Sequence, residues 1–342
     1  MGGLIRRLVA MLTLLATGLV LLVGCAPAAL QLAPRPKATP SRASLVATPS
    51  LVTTMVQTRG CGKLPSIPAG TSASQTLEVG GHRRQYRLHL PVTYDPWRPS
   101  ALVLAFHGHG SSAALFEQLT RFSALADSKG FIAVFPQGAV GPDGRTGWNT
   151  SRAKDPTLND LLFVSDLLSR LQSQLCVDPA RVYAAGFSNG GGFTAVLACR
   201  FAGRIAAFAS VSGEYYPQPG GCDPARPVPI LEIHGTADPI VPYLGSLRLR
   251  YPSVSAWLSG WALRDGCRGG PSTFYQQGGV TGQAWTRCRG TGAVAHYTIL
   301  SGWHVWPGSS SSTRRPPPSS DAHLAATHVI WTFFSHQALP SS

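Results

Sequence analysis

Between Arg181 and Gly192 the chain reads R-V-Y-A-A-G-F-S-N-G-G-G, and no other stretch limits the available folds as tightly. Arg181–Gly186 has the length and apolar character of a buried strand, and Gly191–Cys199 (G-G-F-T-A-V-L-A-C) reads as a helix. Gly186-Phe187-Ser188-Asn189-Gly190 joins them, a G-x-S-x-G pattern at a sharp strand-to-helix turn, the nucleophile elbow. Such a turn holds its serine in a strained backbone conformation, and a Cβ at Gly186 or Gly190 would meet the neighbouring chain. The strain lifts the Ser188 hydroxyl above the sheet. The N–H of Asn189, at the unpaired start of the helix, is aimed at the same spot. A Gly-rich turn with an ordinary serine is the bland alternative, and the flanking strand and helix weigh against it.

The rest of the chain alternates strands with helices. Thr76–Val79 and Gln85–Leu90 read as strands joined through Gly80-Gly81, a hairpin signal. Ala101–Phe106 and Phe131–Phe135 are continuous apolar runs, as in a sheet buried on both faces. Further strands are expected at Ala206–Val211, Ile230–His234 and His296–Leu300. One helix is expected over Ser111–Lys129, with Leu115, Leu119, Phe122 and Leu125 on one face and Gly130 at its end. Others are expected at Leu158–Leu175, Val254–Asp265 and Ala322–His336, the last capped by Asp321, with a polar loop over Pro136–Pro156. The pattern predicts an α/β fold, a mostly parallel central sheet with helices on both faces. Ligands in such sheets sit at the carboxyl ends of the strands. His107, Ser188, Asp238 and His304 all follow predicted strands and so share one rim.

A serine hydroxyl needs a base to become a nucleophile. Nucleophile elbows of this kind are followed in the chain by an acid and then a histidine. Asp238 follows strand Ile230–His234 in G-T-A-D-P, and His304 follows the last strand in S-G-W-H-V-W-P-G. His304 is the expected base and Asp238 the carboxylate that fixes its tautomer. Rival bases are His107, His234 and His323, and the rival acid is Asp265. His234 comes too early in chain order, and Asp265 falls in a helix with no strand before it. The second oxyanion donor is expected from H-G-H-G at 107–110, with the N–H of His109 beside that of Asn189. His107 and His109 could suggest a metal, but no third ligand lies nearby in sequence, so neither metal nor cofactor is expected.

Residues 1–25 read as a leader: Arg6 and Arg7, an apolar run over Leu8–Val23, then Leu22-Val23-Gly24-Cys25. The last four resemble a lipobox, in which Cys25 is lipidated after cleavage; an ordinary signal peptide ending in Cys is the alternative. Residues 26–60, rich in Pro, Ala, Ser and Thr, read as a linker, and residues 61–338 as the folded domain. A cell-surface, lipid-anchored or secreted location follows, with contact to the membrane only through the anchor. The formal net charge of +14 comes from scattered residues, and no acidic residue precedes Glu78. Nucleic-acid binding would need a basic face interleaved with aromatics, and none is visible. Six cysteines follow Cys25, an even set suited to an oxidising compartment. Fifteen pairings are open to six cysteines, and the shorter spans favour Cys267–Cys288 and Cys199–Cys222, leaving Cys61–Cys176.

With these residues in view the domain resembles the secreted esterases of the polyhydroxybutyrate depolymerase-like or feruloyl esterase-like group, which have the α/β-hydrolase fold. The resemblance runs from about Gly60 to Phe334. It is carried by C-G-K at Cys61, Y-R-L-H-L-P at Tyr86–Pro91, L-V-L-A-F-H-G at Leu102–Gly108, G-F-I-A-V-F-P-Q-G at Gly130–Gly138 and W-N at Trp148-Asn149. V-D-P-A-R-V-Y-A-A-G-F-S-N-G-G at Val177–Gly191, H-G-T-A-D at His234–Asp238 and W-P-G at Trp306–Gly308 complete it. It implies Ser188, Asp238 and His304 as the triad. The chain departs from the group at Gly302-Trp303, where two glycines are usual, and at Asn159-Asp160, where a paired Asp-Asp is usual. The group spans feruloyl, acetyl and polyhydroxyalkanoate esters. Aromatics expected on the rim, Trp148, Tyr215, Tyr216, Trp303 and Trp306, stack on sugars and cinnamoyl rings and favour esters of plant polysaccharide such as xylan. Polyhydroxyalkanoate or its oligomers is the second choice: Ser309–Ser320 is a Ser- and Pro-rich insert, not a polymer-binding domain. A non-catalytic binding lipoprotein and a peptidase on the same fold are the other readings, and a monomer is expected.

Overall fold

A computed structural model describes residues 58–150, 159–218, 220–309 and 323–340. The leader, Cys25, the linker up to residue 57, residues 310–320 of the insert and Asp321 lie outside the described residues. In chain order the strands are β1 (Thr71–Val79), β2 (His82–Leu90), β3 (Ser100–Phe106), β4 (Ile132–Pro136), β5 (Ala139–Val140), β6 (Thr146–Gly147), β7 (Val177–Phe187), β8 (Ala207–Val211), β9 (Ile230–Gly235), β10 (Gly269–Gln277), β11 (Val280–Thr286) and β12 (Val294–Ile299). The helices are α1 (Ala113–Thr120), α2 (Phe122–Lys129), α3 (Asp160–Gln174), α4 (Asn189–Arg200), α5 (Val254–Arg264) and α6 (Ala326–Ser335).

Ten strands form one sheet in the order β1-β2-β4-β3-β7-β8-β9-β12-β11-β10. The six in the middle, β4 to β12, run parallel. An antiparallel hairpin extends each edge. Alternation along β3 explains its unbroken apolar run. Leu102, Leu104 and Phe106 enter one buried cluster with Phe163 and Val164 of α3 and Phe193 of α4. Ala101, Val103 and Ala105 enter the other, with Phe116 of α1, Phe122 of α2 and Phe334 of α6. Both faces are covered, as a parallel sheet requires.

Three features differ from the sequence expectation. The single helix over Ser111–Lys129 is two helices, broken at Arg121 with φ 56°. The Thr120 carbonyl accepts from Thr327 Oγ1 at 2.5 Å, so α6 takes an acceptor that a continuing helix would have used. As a result Phe116 is buried in α1, whereas Leu115 is exposed. The β10–β11 hairpin has no counterpart in the sequence reading. Its β10 strand, G-G-P-S-T-F-Y-Q-Q, is largely exposed and lacks the apolar run that marks the central strands. The Gly278-Gly279 turn, the same dipeptide that joins β1 to β2, was its one signal. Finally, α6 is shorter than Ala322–His336 and starts after Ala325.

Disulfides join Cys61–Cys176, Cys199–Cys222 and Cys267–Cys288, the last two favoured from their short spans and the first left by them. The first, across a sequence separation of 115, ties the start of the domain to the segment between α3 and β7. Beside it the Gly60 N–H donates to the Gln172 carbonyl at 3.0 Å and Thr58 Oγ1 to the Leu175 carbonyl at 3.1 Å. Among the described residues no helix is long and apolar enough to cross a membrane.

Candidate active site

At the end of β7, Ser188 has φ 56° and ψ −121° and is the residue before α4. Two close approaches enforce this. A Cβ at Gly186 would stand 2.1 Å from the Gly190 carbonyl oxygen, and one at Gly190 would stand 2.2 Å from that of Phe106. Only glycine lets the first turn of α4 fold back against β7 and the end of β3. The Ser188 N–H donates to the Val211 carbonyl at the end of β8, 2.9 Å away, which fixes the turn from the other side.

The loops after β9 and β12 meet through a second glycine contact. A Cβ at Gly235 would lie 2.2 Å from the Gly302 carbonyl oxygen, and the Ala237 N–H donates to that carbonyl at 3.0 Å. Gly302 is thus the half of the usual glycine pair that packing demands. The approach brings Asp238 and His304 together: His304 Nδ1 donates to Asp238 Oδ2 at 2.7 Å. Asp238 Oδ1 accepts the N–H groups of Ile240 at 2.9 Å and Val241 at 2.8 Å. Burial alone would raise the Asp238 carboxyl, but hydrogen bonds from His234 and His304, the histidine charge and the Val241 N–H hold it well below the usual carboxylate range. The ionised carboxylate fixes the His304 proton on Nδ1 and leaves the lone pair on Nε2. The His304 ring lies against Phe187, with centroids 4.8 Å apart.

Ser188 and His304 line one cleft of about 480 Å³ with Gly108, His109, Asn189 and Glu214 among others. Asn189 begins α4, so its backbone N–H lacks an intrahelical acceptor. Its side chain is occupied: Oδ1 accepts the Trp148 N–H at 2.7 Å and Nδ2 donates to the Trp148 carbonyl at 3.3 Å. His109 borders the cleft, and its Nε2 lies 2.9 Å from Asp143 Oδ2. A Cβ at Gly108 would stand 3.3 Å from the Ser188 Cβ, so the loop after β3 passes directly beside the serine.

Three of the expected rim aromatics are core residues. Trp148 is 1% exposed, stacked on Phe193 and bonded through Nε1 to the His107 carbonyl at 2.9 Å. Trp306 is 2% exposed; its Nε1 donates to Thr327 Oγ1 at 2.9 Å, and it packs against Phe116, Phe122 and Phe187. Tyr215 is 4% exposed, stacked on Trp257 at 3.8 Å, with its hydroxyl turned to Ser210 and Glu232. Position in a loop beside the site says nothing about which way a ring turns, and each found an apolar slot with a partner for its polar atom. These three are corrected from substrate contacts to supports. Trp303, by contrast, is 44% exposed. Tyr216 lines the cleft, and so do Phe187, Ile240, Arg145, Thr150 and Glu214, which sequence reasoning missed. Phe187 alone carried a signal, as the residue before the serine.

The rival residues have other duties. His107 is buried; its Nδ1 donates to the Gly108 carbonyl at 2.8 Å and its Nε2 accepts the Gly138 N–H at 2.9 Å. Burial, with His109 nearby, pushes it down to about 4, so it is a neutral latch between two loops. His323 sits against the turn at Gly278, away from the cleft. His234 is buried and bonded through both ring nitrogens. Asp160 is buried in a pair with Arg84 at 2.7 Å and accepts the Asn149 N–H at 2.7 Å, while Asn159 caps α3.

Asp265 caps α5 and accepts the Val228 N–H at 2.7 Å, with the Ala293 N–H also turned to the carboxyl. Burial pushes this carboxyl up to about 6 against the pull of Val228 and Arg226. A carboxyl raised on folding adds stability below its ordinary range and loses it as pH rises through the folded value. Asp265→Asn should therefore gain about 1–2 kcal/mol at pH 8 and nothing at pH 4. Thermal melts of both proteins across that range decide it, and an equal effect at both ends would contradict it. Among the described residues no group of three His, Cys, Asp or Glu is placed to hold a metal ion.

Comparison with known proteins finds esterases. Residues 85–224 match the family model described as esterase PHB depolymerase. The chain is 31% identical over 201 residues to feruloyl esterase C of Emericella nidulans, covering 57% of this chain and 67% of that one. It is 35% identical over 164 residues to the bifunctional acetylxylan esterase/xylanase XynS20E of Neocallimastix patriciarum, covering 48% of this chain but only 22% of that one. Among solved structures, an acetyl xylan esterase from Aspergillus awamori shares the fold with a TM-score of 0.54 at 15% identity, covering 69% of this chain and 95% of that one.

Proposed function

Since the chain belongs to one esterase family with feruloyl esterase C of Emericella nidulans and carries the esterase PHB depolymerase domain over residues 85–224, we propose that it is an exported serine esterase acting on feruloyl or acetyl esters of plant polysaccharide. The observation that carries this is the His304–Asp238 bond of 2.7 Å opening on the same cleft as a strained Ser188. In this reading His304 Nε2 takes the Ser188 proton as Oγ attacks the ester carbonyl, and Asp238 stabilises the resulting imidazolium. The backbone N–H groups of Asn189 and His109 receive the developing oxyanion. His304 then gives its proton to the leaving alcohol oxygen, and water repeats the sequence to release the acid and restore Ser188.

Relatives named for feruloyl and acetylxylan ester cleavage support the substrate class. Trp303, Tyr216 and Phe187 offer aromatic surface at or beside the cleft for a sugar or a hydroxycinnamoyl ring. The family description favours a second reading, short polyhydroxyalkanoate chains. A binding lipoprotein would have no use for a strained serine beside a histidine–carboxylate pair, and a peptidase on this scaffold has no observation in its favour. The test is kcat/KM on methyl ferulate, acetylated xylan and soluble 3-hydroxybutyrate oligomers. The polysaccharide-ester reading expects the first two to exceed the third; far faster oligomer cleavage replaces it with the second reading.

Export and anchoring rest on Leu22–Cys25 after the apolar run and on the domain's disulfides. Cys25→Ala should release the protein from the cell surface or block its processing. The intact mass of the mature protein decides this directly, since an unmodified N-terminus downstream of Cys25 is incompatible with an anchor.

A further inference from the structure

Beneath the cleft Asp238 has a second histidine neighbour. His234, in β9, places Nε2 2.8 Å from the Val241 carbonyl oxygen and 3.4 Å from Asp238 Oδ2, the oxygen that holds His304. Its Nδ1 lies 2.8 Å from Glu232 Oε1. Every partner of this ring is an oxygen acceptor. A carbonyl only accepts, so Nε2 carries a hydrogen, and an ionised Glu232 requires another on Nδ1. Both side chains are fully buried, so no solvent competes for these protons.

The surroundings favour the charge-separated form. Glu232 Oε1 also receives the Tyr215 hydroxyl at 3.1 Å, and His296 Nδ1 lies 2.7 Å from Oε2. The same His296 Nδ1 lies 3.2 Å from the Glu232 backbone oxygen, and both His234 and His296 hold the Glu232 carboxyl below its ordinary value against burial. His296 Nε2 in turn faces the hydroxyls of Tyr243 and Thr298 at 3.0 and 2.8 Å. Burial opposes the imidazolium form of His234, but Glu232 and the bonds to Asp238 and Val241 outweigh it and hold it up at about 10. The groups facing His234 are thus Glu232 on β9, Asp238 and Tyr243 after β9, Tyr215 after β8 and His296 on β12.

We infer that His234 is a positioning residue for the hydrolysis: an imidazolium clamped by Glu232, which fixes the Asp238 carboxylate from beneath and sets the field that Asp238 exerts on His304. This rests on the reading of Ser188, His304 and Asp238 as the triad. Charges alternate along the row: negative at Glu232, positive at His234, negative at Asp238, then His304. The cation shares Oδ2 with His304 and so tempers the pull of Asp238 on the His304 proton. It also holds the carboxylate in the one orientation that leaves Oδ1 to the Ile240 and Val241 N–H groups. Remove the positive charge alone, and two buried carboxylates act on His304 with nothing between them.

His234→Gln and the double variant His234→Gln/Glu232→Gln test this, with p-nitrophenyl acetate as the probe. The single variant should move the acid limb of the kcat/KM profile upward by roughly half a pH unit or more. Its kcat should fall on the order of 10-fold or more with KM within about threefold. The double variant removes both charges and should bring the acid limb part of the way back while kcat stays low, because the orientation of Asp238 is still lost. It leaves no unpaired buried charge and so remains informative if the single variant does not fold. An acid limb that stays put in the single variant, or a wild-type kcat in the double, overturns the inference. Ser188→Ala, measured alongside, separates the two readings: if it keeps activity the triad reading fails, and if it is inactive while His234→Gln shifts nothing, only the role of His234 falls.

Discussion

Ser188→Ala should lose ester hydrolysis on the order of a millionfold in kcat, the scale seen when a serine nucleophile is removed from an otherwise intact triad. The reason lies in the elbow. Ser188 is held at φ 56° between two glycines whose close contacts leave no room for a Cβ, so the turn presents this one hydroxyl to the cleft from a fixed backbone position. Alanine tolerates the same backbone about as poorly as serine does, so the fold should survive and the loss should report chemistry. Binding should change little, because a methyl group in place of a hydroxyl leaves the cleft its shape. The direct measurement is kcat on a chromogenic acetate with the folded state checked by thermal melting, and chelator should leave wild-type turnover unchanged. Substantial residual turnover in a folded Ser188→Ala protein would falsify the serine-esterase reading.

Asp238→Asn should cost roughly four orders of magnitude in kcat, the loss that attends a wrong histidine tautomer. The hydrogen bonds dictate which way the new amide turns. Oδ1 of Asp238 takes two backbone N–H groups, from Ile240 and Val241, and only an oxygen can stay there. The amide nitrogen must then face His304 Nδ1 and His234 Nε2, where the carboxylate oxygen stood. It offers hydrogens to Nδ1, drives the His304 proton onto Nε2 and leaves Ser188 without an acceptor. The effect belongs in kcat, with KM nearly unchanged. A loss of less than about tenfold in kcat would mean that Asp238 does not orient the base.

Much of this was written in the chain in readable form. The apolar runs of β3, β4 and β7 mark a sheet buried on both faces, because such strands have no solvent side on which to alternate. The glycines flanking Ser188 mark a close approach that no other residue permits. Asp238 and His304 could be placed on the rim because each follows a parallel strand, and parallel strands end on one side. In each case the signal is local: strand length, turn chemistry and chain order.

What the chain could not disclose were the matters settled by direction and by distant partners. Loop position alone made Trp148, Trp306 and Tyr215 look like substrate contacts, but rotamer and packing turned all three inward. The break at Arg121 depends on a hydroxyl more than two hundred positions away, since Thr327 takes the Thr120 carbonyl. The β10 strand forms because β11 offers it an edge, against a sequence with little apolar content of its own. The protonated state of His234 follows from three oxygens, supplied by Glu232, Asp238 and the Val241 carbonyl. Periodicity and motif determine which elements form and in what order. Only the folded arrangement decides which polar atoms are left to face one another in the dark of the core, and there a single donor or acceptor fixes where a proton sits.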